Sequence, residues 1–279
     1  MLLTGKARIA GVIGWPVSHS RSPRLHGHWL RAYGIDGAYI PLAVPPDHIE
    51  QAIRALPVLG FAGVNVTVPH KEAALRLADE VDDFARRLGA ANTLVVKPDG
   101  RILASNSDAY GFIQNLREGA PGFRADAGPA VVLGSGGAAR AVVVALADAG
   151  AREIRIVNRT SARAEELCRL APGITRAVPW TGMAAALADA ALLVNTTSLG
   201  MDGQPPLEID LGRLPTGALV NDIVYTPLET PLLKAASARG NPVVDGLGML
   251  LHQARPGFKA WFGREPEVTD DLRQVVLGR

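Results

Sequence analysis

The chain has 279 residues, a formal net charge of +2, 48% hydrophobic and 20% charged residues, and a single cysteine, Cys168. That length holds two α/β domains of ordinary size, each with apolar side chains enough for a core. The composition excludes electrostatic capture of nucleic acid, an internal disulfide, a Cys-based zinc site and a membrane span, because no block of Lys or Arg stands out and no apolar run approaches ~18 residues. The first residues run directly into a strand-like segment, with no charged n-region and cleavage site, so a cytoplasmic protein is expected.

Apolar runs then alternate with helical patterns. Residues 7–14 predict a strand, and 22–34 a helix with Ser22 as N-cap and Pro23 in the first turn. A strand over 37–44, a helix over 46–60, a strand over 62–68 and helices over 70–78 and 81–89 follow. Segments 92–96 and 101–105, joined by Lys-Pro-Asp-Gly, form a hairpin, and a helix runs from Asp108 to Glu118. The loop 119–129 is rich in Gly, Pro and Ala and marks a domain boundary. A second series has strands at 130–134, 154–158, 174–178, 191–197, 218–224 and 241–246, with helices at 137–150, 161–171, 182–190 and 229–240. Cys168 falls in the second of these helices as a partly buried residue. Residues 246–263 read as helix, with Pro256 starting a kink or a new helix, and are expected to pack back on the first domain. Such alternation indicates βαβ units with parallel strands.

Residues Gly134, Ser135, Gly136, Gly137, Ala138 and Ala139 form a G-x-G-x-x-A pattern between a strand and a helix. In that context it is the dinucleotide fingerprint: one glycine for the tight turn, one for close approach of backbone amides to a pyrophosphate, and a small residue for helix–strand packing. The helix N-terminus supplies unpaired N–H groups and a partial positive charge. An NAD site usually carries Asp or Glu at the end of the second strand, to bond the ribose 2′-hydroxyl. Here the chain reads Asn158, Arg159, Thr160 and Ser161, with Arg163 beyond. A guanidinium suits a 2′-phosphate and a carboxylate would repel it, so NADP is the expected cofactor.

Ser20, Ser22, Asn65, Thr67, Lys71, Asn92 and Asp108 lie at or just after strand ends, where open α/β sheets collect ligands. Ser20 and Ser22 suit a carboxylate. Asn65 and Thr67 are polar where a buried strand should be apolar, a local conflict that often marks function. Lys71 enters a helix near its N-terminus, where a cation opposes the dipole. The six histidines form no metal pattern, and no metal is expected.

With these motifs in order along the whole chain, the sequence resembles the shikimate dehydrogenase family. The matching segments are GWPVSHSRSP, GVNVTVPHKEAA, GAANTL, NSDAYG, GSGGAARA, NRT, VNTTSLGM, NDIVYTPLETPLL and DGLGMLLHQA. The resemblance implies an α/β fold of two domains separated by a cleft: residues 1–107 plus 247–279 as a mixed-sheet substrate-binding and catalytic domain, and 108–246 as a Rossmann-type NADP-binding domain. It implies Lys71 and Asp108 as the catalytic pair, Ser20 and Ser22 on the substrate carboxylate, and Asn65, Thr67, Asn92, Asp108 and Gln253 on ring hydroxyls, with Tyr225 completing the substrate site. Gly134, Ser135, Gly136, Gly137, Ala138, Asn158, Arg159, Thr160, Arg163, Thr196, Ser198, Ile223, Gly246 and Met249 would line the cofactor. The activity implied is reversible NADPH-dependent reduction of 3-dehydroshikimate to shikimate by a monomer or homodimer. Alternatives are a quinate/shikimate or aminoshikimate dehydrogenase of the same superfamily, or a non-catalytic NADP- and shikimate-binding sensor. The chain departs from the family at Ala109, where glycine is usual, and at Trp15, in place of a small polar residue.

Overall fold

A computed structural model describes residues 3–278. They divide into two compact units, one running to Ser107 and resuming at Gln253, the other spanning Asp108–His252.

The first unit contains β1 (Arg8–Gly14), α1 (Ser22–Ala32), β2 (Gly37–Ala43), α2 (Ile49–Ala55), β3 (Phe61–Val66), α3 (Lys71–Leu77), β4 (Glu80–Val81), α4 (Asp83–Leu88), β5 (Thr93–Val96) and β6 (Ile102–Ser105). Its sheet has the order β2-β1-β3-β5-β6-β4. β1 runs parallel to both neighbours, whereas β5 is antiparallel to β3 and to β6, so the sheet is mixed. Ile13, Val64, Val66, Leu94 and Ile102 cluster with Ile53, Leu56 and Ala74. Each large aliphatic side chain so buried contributes about 1.5–3 kcal/mol relative to exposure.

An aromatic cluster is built from α1, β2 and the later part of α10 (Leu247–Phe262), with His26 at its centre. The His26 ring is fully buried and stacks on Tyr39 at 3.9 Å between centroids, and Trp29, Phe258 and Trp261 surround it. Neither ring nitrogen has a hydrogen-bond partner. Burial pushes its pKa down to about 3, with the nearby Asn65 side chain acting in the opposite direction. A depressed folded-state pKa stabilises the fold above the unfolded value of about 6.5 and loses that contribution as pH falls toward 3. At about pH 5 the loss is about 2 kcal/mol. Urea unfolding at about pH 7 and pH 5 should therefore show His26→Phe losing about 2 kcal/mol less on acidification than the wild type. Equal acid losses in the two proteins would refute a neutral buried His26.

The second unit opens with α5 (Asp108–Gly119) and continues through β7 (Ala130–Leu133), α6 (Gly137–Asp148), β8 (Ile154–Asn158), α7 (Ser161–Cys168), β9 (Thr175–Pro179), α8 (Met183–Leu187), β10 (Leu192–Asn195), β11 (Leu219–Asp222), α9 (Pro231–Ala238) and β12 (Val243–Val244). Its strands pair in parallel, in the order β12-β11-β10-β7-β8-β9. That is the doubly wound arrangement, with a topological switch between β7 and β10. β7 and β10 are buried along their full length, as strands covered on both faces must be.

Several local expectations are corrected. The helices expected over 70–78 and 81–89 are separated by β4, and α4 starts only after Asp82, whose carboxylate accepts from Ala85 N at 2.6 Å. Ser22 is the first residue of α1 rather than its cap; Arg21 holds the cap position, and Ser20 Oγ accepts from Ser22 N. Pro256 neither ends α10 nor begins a new helix, because proline removes one N–H while buried Phe258 and Trp261 anchor the next turns. Helix α11 (Asp270–Leu277), capped by Thr269, has no counterpart among the expected elements. Cys168 ends α7 half-buried, and burial pushes its thiol pKa up. No helix among the described residues is long and apolar enough to cross a membrane.

Candidate active site

In the first unit the candidate residues gather at the carboxyl ends of β1 and β3, on either side of a switch point. Two backbone bonds tie this end of the two strands together: Thr67 N, just after β3, donates to Ile13 O of β1 at 2.9 Å, and Trp15 N, just after β1, to Val68 O at 3.1 Å. The first loop, after β1, carries Ser20, half-buried, and leads to Ser22, the buried first residue of α1. The second carries Thr67 and leads to Lys71, the half-buried first residue of α3. The turn before Lys71 is pinned by His70, a buried residue whose Nε2 donates to Val44 O at 2.7 Å and whose backbone N bonds Thr67 O at 2.9 Å. Ala91 N donates to Lys71 O at 2.9 Å, setting Asn92 beside the start of α3.

A buried amide network underlies this loop cluster. Asn65 Oδ1 accepts from Tyr39 Oη at 2.7 Å, and its Nδ2 donates to Asn92 O at 3.1 Å and Thr93 Oγ1 at 3.3 Å. The polar residue in β3 is thus held by protein partners on both its oxygen and its nitrogen. Asn92 Oδ1 accepts from Thr93 Oγ1, Ser107 N and Ser107 Oγ at 2.9, 2.9 and 3.2 Å, so its Nδ2 is the donor, toward Gln253 Oε1 at 3.5 Å.

The remaining candidates belong to the second unit. Asp108 opens α5, and Ala109 follows as a buried helical residue. Among the described residues only glycines have a positive φ, so position 109 does not need glycine for its backbone.

The turn after β7 has the shape a dinucleotide requires. Gly134 has a φ of +105°, and a Cβ there would lie 2.9 Å from Thr196 Oγ1. Thr196 is held in that place by its own bonds to Leu133 O, at 3.0 Å from N and 2.5 Å from Oγ1. Gly136 and Gly137 differ: neither has a positive φ, and an added Cβ at either would meet nothing within 4 Å. No described protein atom requires glycine at these two positions. They leave the amides at the start of α6, beside Ser135 and Ala138, open to a phosphate, which fits the cofactor the motif implies. At the end of β8, Asn158 Nδ2 donates to Thr160 O at 2.9 Å, and Arg159 and Arg163 are exposed.

Ile223, Tyr225, Gly246 and Met249 follow β11 and β12. A Cβ on Gly246 would fall 2.2 Å from Ile223 O, so only glycine permits this backbone approach. Ser198 is exposed in the loop after β10. Sequence reasoning missed Asp222, which organises this end of the sheet. Its buried carboxylate accepts from Asn195 Nδ2 at 3.0 Å, Val224 N at 3.0 Å and Thr230 Oγ1 at 2.7 Å, and burial raises its pKa. Asn221-Asp222 at the end of an apolar strand was the available signal, the same conflict that marked Asn65.

Comparison with known proteins covers both units. Residues 12–94 match the shikimate dehydrogenase substrate binding domain, 123–200 the shikimate / quinate 5-dehydrogenase family, and 246–277 the shikimate 5′-dehydrogenase C-terminal domain. Shikimate dehydrogenase (NADP(+)) of Paramagnetospirillum magneticum is 63% identical over 275 residues, covering 99% of this chain and 100% of the relative. That of Rhodospirillum rubrum is 60% identical, covering all of both chains. Among solved structures, shikimate 5-dehydrogenase from Thermus thermophilus in complex with NADP(H) and shikimate matches with a TM-score of 0.87 at 36% identity, over 97% of this chain and 99% of that one. Quinate dehydrogenase from Corynebacterium glutamicum in complex with NAD matches with a TM-score of 0.91 at 32% identity, over 98% and 99%. With relatives of such identity along its full length, the chain belongs to the shikimate dehydrogenase family.

Proposed function

We propose that this chain is an NADP-dependent shikimate dehydrogenase, catalysing reversible reduction of 3-dehydroshikimate to shikimate in aromatic amino acid biosynthesis. The observation that carries the reading is the gathering of Ser20, Ser22, Thr67, Lys71 and Asn92 at one switch point of the first unit, in a chain 63% identical to an NADP-dependent relative. It acts in the cytoplasm, as a monomer or homodimer. Residues 1–107 with 247–279 serve the substrate, and 108–246 the nucleotide.

NADP supplies or accepts the hydride when bound. The chain's own residues hold the ring and manage one proton. Ser20 and Ser22 donate to the substrate carboxylate, and Tyr225 is a further substrate-binding residue. Thr67, Asn92 and Gln253 bond ring hydroxyls. Lys71 donates a proton to the oxygen that becomes the alcohol, or withdraws it in reverse, while Asp108 orients the ammonium and bonds the neighbouring hydroxyl. Arg159, with Asn158, Thr160 and Arg163, takes the 2′-phosphate; the absence of a carboxylate there favours NADP over the pairing of quinate dehydrogenase with NAD in the Corynebacterium protein.

Initial rates with shikimate and quinate, each paired with NADP+ and NAD+, test this reading. Highest kcat/KM is expected for shikimate with NADP+. A higher value for quinate with NAD+ would move the chain to the quinate branch, and no turnover of any pair would support a binding role.

A further inference from the structure

Tyr39 plays no part in the mechanism above, yet it touches the network beneath the substrate loops. It lies on β2 in register with Ala10 of β1, and Asn65 lies on β3 in register with Val12. Its hydroxyl therefore crosses over β1 to reach Asn65 Oδ1 at 2.7 Å. Both side chains are buried, so no bulk water substitutes for the bond.

The polarity of the network follows from groups that can act in one way only. Asn92 O accepts and never donates, so the side of Asn65 facing it is Nδ2, and Oδ1 faces Tyr39. Tyr39 must then donate its proton to Asn65. Asn65 Nδ2 also donates to Thr93 Oγ1, which leaves the Thr93 proton for Asn92 Oδ1. Ser107 N, a donor only, meets the same oxygen. Every bond in the sequence Tyr39, Asn65, Thr93, Asn92 thus runs in one direction and ends with Asn92 Nδ2 as a donor, toward Gln253 Oε1. The Tyr39 ring is in turn held flat against His26, with 8° between the planes.

We infer that Tyr39 is a positioning residue for the substrate: through Asn65 and Thr93, its hydroxyl holds the Asn92 amide as a donor toward a ring hydroxyl. The inference rests on the shikimate dehydrogenase reading for the identity of the ring. It predicts that the two ends of the relay are energetically coupled although Tyr39 never touches ligand.

The test uses the full-length protein with Tyr39→Phe, Thr93→Val and the double variant. Tyr39→Phe keeps the ring on His26 and removes the hydroxyl, which donates to Asn65 and also bonds the Ser22 side chain; Thr93→Val leaves Ser22 untouched, keeps the shape and cuts the relay one link from Asn92. Each single variant is expected to raise KM for shikimate about tenfold, with KM for NADP+ within about twofold and Tm nearly unchanged. The double variant is expected to be little worse than either single one, as members of one pathway are not additive. A shikimate KM within about twofold of wild type in Tyr39→Phe, or fully additive effects, would overturn the relay. An equal rise in both KM values would overturn it too, assigning Tyr39 a merely structural role. If the wild type does not oxidise shikimate, the functional reading fails by itself. The relay is then decided by the Asn92 side-chain amide resonances, which must shift in Tyr39→Phe and would disprove the coupling if unmoved.

Discussion

Replacing Lys71 with alanine is expected to lower kcat by about 10²–10⁴, the usual scale of acid–base catalysis, with only a modest change in KM for shikimate. The local structure explains why this lysine should matter more than an average one. It is the first residue of α3, where a cation is unfavourable against the helix dipole. Its backbone is nevertheless fixed from two directions, by Ala91 N on its carbonyl and by the His70 ring on Val44 O. A solvated surface lysine needs no such fixing, whereas a proton donor must meet a reacting oxygen with little positional error. Turnover at the wild-type rate in Lys71→Ala would remove lysine from the chemistry.

The second large effect is expected at Arg159. Arg159→Ala should raise KM for NADP+ about 10–100-fold, the range of one or two lost charge-assisted hydrogen bonds, and leave KM for shikimate unaltered. Use of NAD+ should hardly change, so the preference between the two nucleotides narrows. The guanidinium stands exposed just after β8, and no carboxylate lies between Asn158 and Arg163. Kinetics of the variant with both nucleotides check this. Unaltered NADP+ kinetics would place the 2′-phosphate elsewhere.

The nucleotide half of the account is legible in the sequence because its signal is local. A strand, a glycine turn and a helix follow one another within a short stretch, and Gly134 and Gly136 bring their consequences with them wherever the strand is placed. The parallel sheet around them follows from nearly continuous apolar strands. The first unit is harder to read. Asn65 stands out as a polar residue in a buried strand, but its meaning depends on Tyr39, which lies one strand beyond the neighbouring one. Sequence spacing does not encode that distance. Weighing the six histidines only as metal ligands hides two different jobs: His26 as a neutral stacking ring, and His70 as the pin of the lysine turn. Short elements escape for a related reason. β4 has two residues and no periodicity of its own, and exists because β6 offers it an edge. Helix α11 carries a usable signal in Thr269, Asp270 and Asp271, an N-cap followed by first-turn acids.

The measurement that bears most directly on the proposed chemistry is a crystal structure of the chain with shikimate and NADP+. Lys71 Nζ should lie about 2.6–3.2 Å from the ring hydroxyl whose carbon faces the nicotinamide, with an Asp108 oxygen on the adjoining hydroxyl. A bound shikimate whose reacting hydroxyl is contacted by neither side chain would contradict the account.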